Sequence, residues 1–146
     1  MSVCYHGPSP KKDVAYPYHA DLEIMARLSD CLVVTCPQTP ATRGMVNARI
    51  LEALGPEGFL INVARGAIVD EPALIAALNN GKIAGAGMDV FRDEPHVPAE
   101  LVAMENVVMV PHIGSTTREV REMRTARLLA NLHAHFSGVP VPDPVT

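Results

Sequence analysis

No run of about 18 apolar residues, no internal repeat and no low-complexity tract occurs in the 146-residue sequence, so a membrane-spanning helix or a repetitive scaffold is not expected. A basic stripe is also missing. The net charge of -4 comes from 12 basic and 16 acidic side chains of mixed order, which offers no track for a phosphate backbone, and nucleic acid is not expected as a partner. The opening "MSVCYHGPSP" has neither the basic nor the apolar region of a secretion leader. The expectation is a soluble, cytoplasmic protein. Cysteine is scarce: Cys4, Cys31 and Cys36 are odd in number and lack CxxC spacing, so reduced thiols are expected, with no disulfide and no metal. His133 and His135 stand two residues apart within a predicted helix and point to different faces, which rules against a shared metal ion.

What is present is a core and an alternating pattern. Apolar residues make up 48 % of the chain, enough for one domain with a buried interior. Short β-branched runs alternate with segments of helical period, the pattern of βαβ units and a parallel sheet. "VCYH" is a brief strand candidate, followed by a Pro-rich loop and the helix "DLEIMARLSD", with Leu22, Met25 and Leu28 on one face. "CLVVTCP" runs apolar without alternating, so a strand buried on both faces is expected. The helix "NARILEALG" has Asn47 as N-cap and Gly55 at its end. Strand "GFLINVA", helix "EPALIAALNNG" capped by Asp70, strand "IAGAGMDV", a loop "FRDEPHVPAELVAMEN" and strand "VVMVP" follow. The last helix is expected from about Thr116 to Phe136, with a Thr116–Glu119 capping box and an apolar stripe of Met123, Ala126, Leu129, Leu132 and Phe136. "SGVPVPDPVT" reads as a surface tail.

This is an α/β chain, but an incomplete one. A doubly wound, Rossmann-type sheet opens with a strand, a Gly-rich turn and a helix that receives a pyrophosphate. No GxGxxG is found, and Met1 sits almost on the first strand candidate. The expectation is a fragment lacking the first strand, turn and helix, with residues 1–138 forming a partial NAD(P)-binding domain and 139–146 a tail. Ligands of open α/β sheets bind beyond the carboxyl ends of the strands, and Pro37, Arg65, Asp89 and His112 all fall at or just past such ends. Arg65 is the most telling of them. An always-charged guanidinium at the end of an apolar strand calls for an anion.

Four segments in order, "VVTCPQTPATRGMV", "INVARGAIVDEPALIAAL", "IAGAGMDVFRDEP" and "PHIGSTT", resemble the coenzyme domain of the D-isomer-specific 2-hydroxyacid dehydrogenases. The resemblance covers nearly the whole chain and less than half of a complete member. It implies a catalytic set of Arg65, Glu94 and His112 for the reduction of a 2-oxo acid. In these roles Arg65 grips the carboxylate and carbonyl through paired hydrogen bonds, His112 is the general acid, and Glu94 orients the imidazole and raises its pKa. The resemblance also places Cys36, Pro37, Val63, Ala64, Arg65, Asp89, His112 and Gly114 against the dinucleotide. In "YHGPSPKK" the strand ends on His6, with Ser9, Lys11 and Lys12 following, where an enzyme selecting NAD carries an acid. NADP is therefore preferred, with NAD as the other cofactor such a domain takes.

Glu94 argues against a formate dehydrogenase, in which a glutamine typically replaces this acid, and the short C-terminus against an appended regulatory domain. A glyoxylate or hydroxypyruvate reductase, or a phenylpyruvate-type relative, is the expected subfamily. The family dimerises through this domain, so a homodimer is expected of the complete enzyme. The isolated chain is expected to be inactive, and the alternative is a non-catalytic nucleotide-binding or dimerisation module.

Overall fold

The computed structural model describes residues 1–144 of the chain. By contacts it divides into two compact units, Met1–Pro111 and His112–Thr146.

The first unit is built on a parallel sheet of four strands in sequential order, β1 (Cys31–Val34), β2 (Phe59–Asn62), β3 (Gly85–Met88) and β4 (Val107–Met109). Helix α1 (Leu22–Arg27) leads into β1, and α2 (Ala48–Leu54), α3 (Glu71–Asn79) and the single turn α4 (Ala99–Val102) connect the strands. The register stacks Leu32, Leu60, Ala86 and Val107 in one row, and all four are buried with Leu51, Leu54, Leu74 and Leu78 in one core. The caps follow the sequence: Asp21, Asn47 and Asp70 each accept backbone amides at the starts of α1, α2 and α3, satisfying donors that have no partner inside the helix.

The structure corrects several expectations. β1 is not buried on both faces; Leu32 and Val34 are inside whereas Cys31 and Val33 are exposed. β1 is an edge strand paired only with β2, and the neighbouring row of Val33, Ile61, Gly87 and Val108 faces outward, with Val33 and Val108 exposed. "VCYH" forms no strand, only a parallel bridge from Tyr5 to Tyr18. The segment expected as one loop before β4 contains α4, and a 3-10 turn at Gly66–Ile68 went unforeseen. In α1, Met25 is buried but Leu28 is exposed.

The second unit carries α5 (Arg118–Phe136). Its cap is Thr117, whose hydroxyl accepts from Val120 N at 3.4 Å. Thr116 is excluded from the helix because its own hydroxyl donates back to Ile113 O at 2.8 Å. Glu119 lies in the first turn, its carboxyl held below the ordinary range by a backbone hydrogen bond and by Thr117. Of the helix only Ala134 is buried, and Met123, Leu129, Leu132 and Phe136 are exposed. The tail folds back on α5: Arg127 forms a two-pronged ion pair with Asp143, and Asn131 exchanges hydrogen bonds with Asp143. Hydrogen bonding from Arg127 holds the Asp143 carboxyl below the usual range. No helix among the described residues is long and apolar enough to cross a membrane.

Candidate active site

The ladder of the sheet continues one step past its strands, and that extension places the site residues. Val63 N donates to Val34 O, Asp89 N to Asn62 O, and Val110 N to Met88 O, so Val63 and Asp89 leave adjacent strands at the same end. Arg65 follows Val63 by two residues, and the corner between them is set by a side chain. Asn62 is fully buried; its Oδ1 accepts from Ala64 N at 3.1 Å and its Nδ2 donates to Arg65 O at 3.2 Å. This local amide clip ends β2 and turns Arg65 outward, where it is exposed and donates from Nη1 to Ala64 O at 2.6 Å.

Removing the clip leaves the buried Ala64 amide without its acceptor, whereas Arg65 O keeps the hydrogen bond from Ile68 N at 3.2 Å. Asn62→Ala is expected to lower unfolding free energy by about 2 kcal/mol, read as a shift in the urea midpoint at unchanged slope. A loss below half of that would show that water replaces the amide and that the corner does not need it.

The segment after β1 is tied to the same corner. Gly44 N donates to Ala67 O, Val46 N to Ile68 O and Asp70 N to Val46 O. Cys36 is half-buried, and burial pushes its thiol pKa up, so it is a packing residue rather than a nucleophile at neutral pH. The Pro37 carbonyl accepts from Thr42 Oγ1 at 2.8 Å. A pocket lined by Asp21, Glu23, Asn47 and Arg49 among others shares none of the strand-end residues, and Glu23 and Arg49 pair across it at 3.0 Å.

Past β3, Asp89 is 5 % exposed. The chain then turns through Phe91, whose amide donates to Glu94 Oε1 at 2.9 Å, and Glu94 is followed by a cis bond to Pro95. Two further contacts reach this turn from elsewhere in the first unit: Arg92 N donates to Glu71 Oε2, and Gly66 lies against the backbone of Phe91 and Arg92. His6, Ser9 and Lys11 stand on a separate loop before α1, shaped by two phenols. Tyr5 OH accepts from Lys11 N at 2.7 Å and Tyr18 OH donates to Gly7 O at 3.0 Å, while His6 Nδ1 lies 2.9 Å from His19 O.

His112 and Gly114 belong to the second unit. His112 has φ 53°, the left-handed region that non-glycine residues rarely enter and that Asn, Asp and His tolerate best. Such conformations collect at functional positions, where the fold must hold them.

Thus the first unit brings Val63, Ala64, Arg65 and Asp89 to adjacent strand ends, with Glu94 on the loop that follows. The sequence reading missed Asn62, Glu71, Tyr5 and Tyr18. Asn62 had a signal, a lone amide closing an apolar run; the others are indistinguishable in sequence from surface residues.

Open α/β sheets take their ligands beyond the carboxyl ends of the strands, which is where Arg65 and Asp89 stand on successive strands. Residues 1–114 match the family model for the D-isomer specific 2-hydroxyacid dehydrogenase NAD binding domain, and the chain belongs to that family. It is 47 % identical to a hydroxyphenylpyruvate reductase of Plectranthus scutellarioides, over 98 % of this chain and 46 % of that protein. Identity is 48 % to the glyoxylate/hydroxypyruvate reductase A of Arabidopsis thaliana, over the same shares. Among solved structures, an NADPH-dependent glyoxylate/hydroxypyruvate reductase from Sinorhizobium meliloti in complex with NADP and malonate superposes with a TM-score of 0.92 at 44 % identity, covering 100 % of this chain and 46 % of that one. The chain spans about half the length of the curated relatives it matches.

Proposed function

We propose that the protein, at its full length, reduces small 2-oxo acids of the glyoxylate or hydroxypyruvate type to D-2-hydroxy acids, with NADPH preferred over NADH. The observation that carries this reading is Arg65: an exposed guanidinium at the end of a parallel strand, on a corner clipped by a fully buried asparagine. Its planar fork suits the two oxygens of a 2-oxo acid, a carboxylate and the adjacent carbonyl. Two crystal structures of one neighbour, the Sinorhizobium meliloti reductase, hold malonate with NADP and citrate, and they support a site for small carboxylates.

The chain's own residues then divide the work. Arg65 holds and polarises the substrate. His112 gives a proton to the oxygen that becomes the hydroxyl, and in the oxidative direction takes it back. Glu94 is the carboxylate that the family pattern assigns to this reaction. A nicotinamide cofactor, when bound, supplies the hydride. The residues of the first unit fit such a group: Val63, at the end of β2, offers an exposed apolar surface, and Asp89 is buried at the adjacent strand end; the family pattern adds Cys36, Pro37, Ala64 and Gly114 to the cofactor's contacts. The exposed Ser9 and Lys11, with His6, have the donors that a 2′-phosphate needs, and no acid closes that strand candidate.

Steady-state reduction of glyoxylate and hydroxypyruvate with each nicotinamide, in the protein at full length, tests the reading. NADPH is expected to give the higher kcat/KM. Arg65→Lys keeps the charge but loses the fork, so kcat/KM for the acid is expected to fall by roughly 10- to 100-fold. Wild-type turnover of a 2-oxo acid that Arg65→Lys leaves intact would remove the assigned role of Arg65, and equal or better rates with NADH would overturn the cofactor preference.

A further inference from the structure

Glu71 takes none of the roles proposed above, and its surroundings are not those of a surface acid. It opens α3 immediately after the Asp70 cap, yet it is only 7 % exposed. A carboxylate in that position costs several kcal/mol unless its oxygens are met, by a rough estimate. The start of a helix favours negative charge, and the structure adds a distant donor: Arg92 N, 21 residues away in sequence, donates to Glu71 Oε2 at 3.2 Å.

The same stretch of backbone is held from another direction. A Cβ built on Gly66 would lie 2.0 Å from Phe91 C, 2.1 Å from Phe91 O and 2.4 Å from Arg92 N, so the corner carrying Arg65 presses directly on the 91–92 peptide. Within the turn, Phe91 N donates to Glu94 Oε1 at 2.9 Å. The 91–92 peptide is therefore gripped by the Glu71 carboxylate through Arg92 N and seated on Gly66, and the peptide just before it, through Phe91 N, holds the Glu94 carboxylate. Arg65 and Glu94 come from different strand connections, and Phe91–Arg92 is where the connection carrying Glu94 touches the corner carrying Arg65.

We infer that Glu71 is a positioning residue: its buried carboxylate fixes the Phe91–Glu94 turn against the Arg65–Gly66 corner and so sets the placement of Glu94. The catalytic meaning of this clamp rests on the function proposed above, whereas the clamp itself does not. Glu71→Gln retains an oxygen that can accept from Arg92 N; Glu71→Leu fills the space without an acceptor.

Native-state amide exchange reads the clamp directly. In Glu71→Leu the Phe91 and Arg92 amides are expected to exchange at least ~10-fold faster, with the strand amides of Leu60 and Met88 unchanged, and Glu71→Gln should restore most of the protection. In the active protein at full length, Glu71→Leu is expected to lower kcat by ~10-fold or more while KM for NADPH is unchanged, again with rescue by glutamine. Unaltered protection of Phe91 and Arg92 in Glu71→Leu sinks the inference, and so does loss of protection spread evenly over the sheet, which marks a general packing role. Should Glu71→Leu not fold, a through-hydrogen-bond coupling between the Arg92 amide nitrogen and the Glu71 carboxyl carbon in the unaltered protein decides: its presence supports the clamp and its absence overturns it. Absence of wild-type turnover counts against the proposed function and against a catalytic meaning for Glu71, while exchange still decides whether the clamp exists.

Discussion

Gly66→Ala is expected to cost the first unit about 3–5 kcal/mol of stability, or to prevent folded protein from accumulating at all. The reason is geometric rather than conformational. The new methyl would meet backbone atoms of Phe91 and Arg92 at 2.0–2.4 Å, and these cannot swing aside as the end of a long side chain can. Relief requires the 91–92 peptide to retreat from the corner, which breaks the Arg92–Glu71 hydrogen bond. Gly7→Ala is the matched control, because its Cβ would meet nothing within 4 Å, and a change within about 0.5 kcal/mol is expected there. Urea melts of the two variants make the comparison. Equal midpoints would mean that the Asp89–Glu94 turn is loosely seated and that the corner carries no constraint.

His112→Asn in the protein at full length is expected to lower kcat for 2-oxo acid reduction by roughly 10²- to 10⁴-fold, the usual span for a lost general acid. Asparagine is chosen for the backbone. His112 has φ 53°, and Asn is the non-glycine residue that accepts this region most readily, so the substitution separates proton transfer from strain. A variant retaining more than about a tenth of wild-type kcat would place the proton donor elsewhere.

The parts of the fold legible in the sequence are those governed by local physics. Asn47 and Asp70 cap where they were expected to, since a short polar side chain ahead of an apolar-periodic segment satisfies its own helix, and Asp21, read as part of its helix, caps it in the same way. β1 to β4 fell within the apolar runs for a similarly local reason. Burial was read less well. "CLVV" has the composition of a central strand, yet its exposure depends on what covers the second face and on which strand stands at the edge, neither of which is encoded in four residues. "VCYH" failed because a strand needs a neighbour along its length, and Tyr5 meets Tyr18 through a single bridge. Thr116 yielded the cap to Thr117 because its hydroxyl found a nearer acceptor in Ile113 O.

By itself the sequence determined the alternation of strands and helices, the caps, and the family, because motif order and hydrophobic period survive without coordinates. It also singled out Arg65, since a permanent charge at the end of an apolar strand is a local anomaly. Only the tertiary structure decided that Asn62 clips the arginine corner, that Gly66 touches the Glu94 turn, and that Glu71 is a buried clamp instead of a solvated acid. The Asn62 clip is local, but it needs the burial that the sheet provides; the other two facts depend on contacts between residues some 20 or more positions apart, and the distance between such residues is set by packing of the whole sheet, which no short stretch of sequence contains.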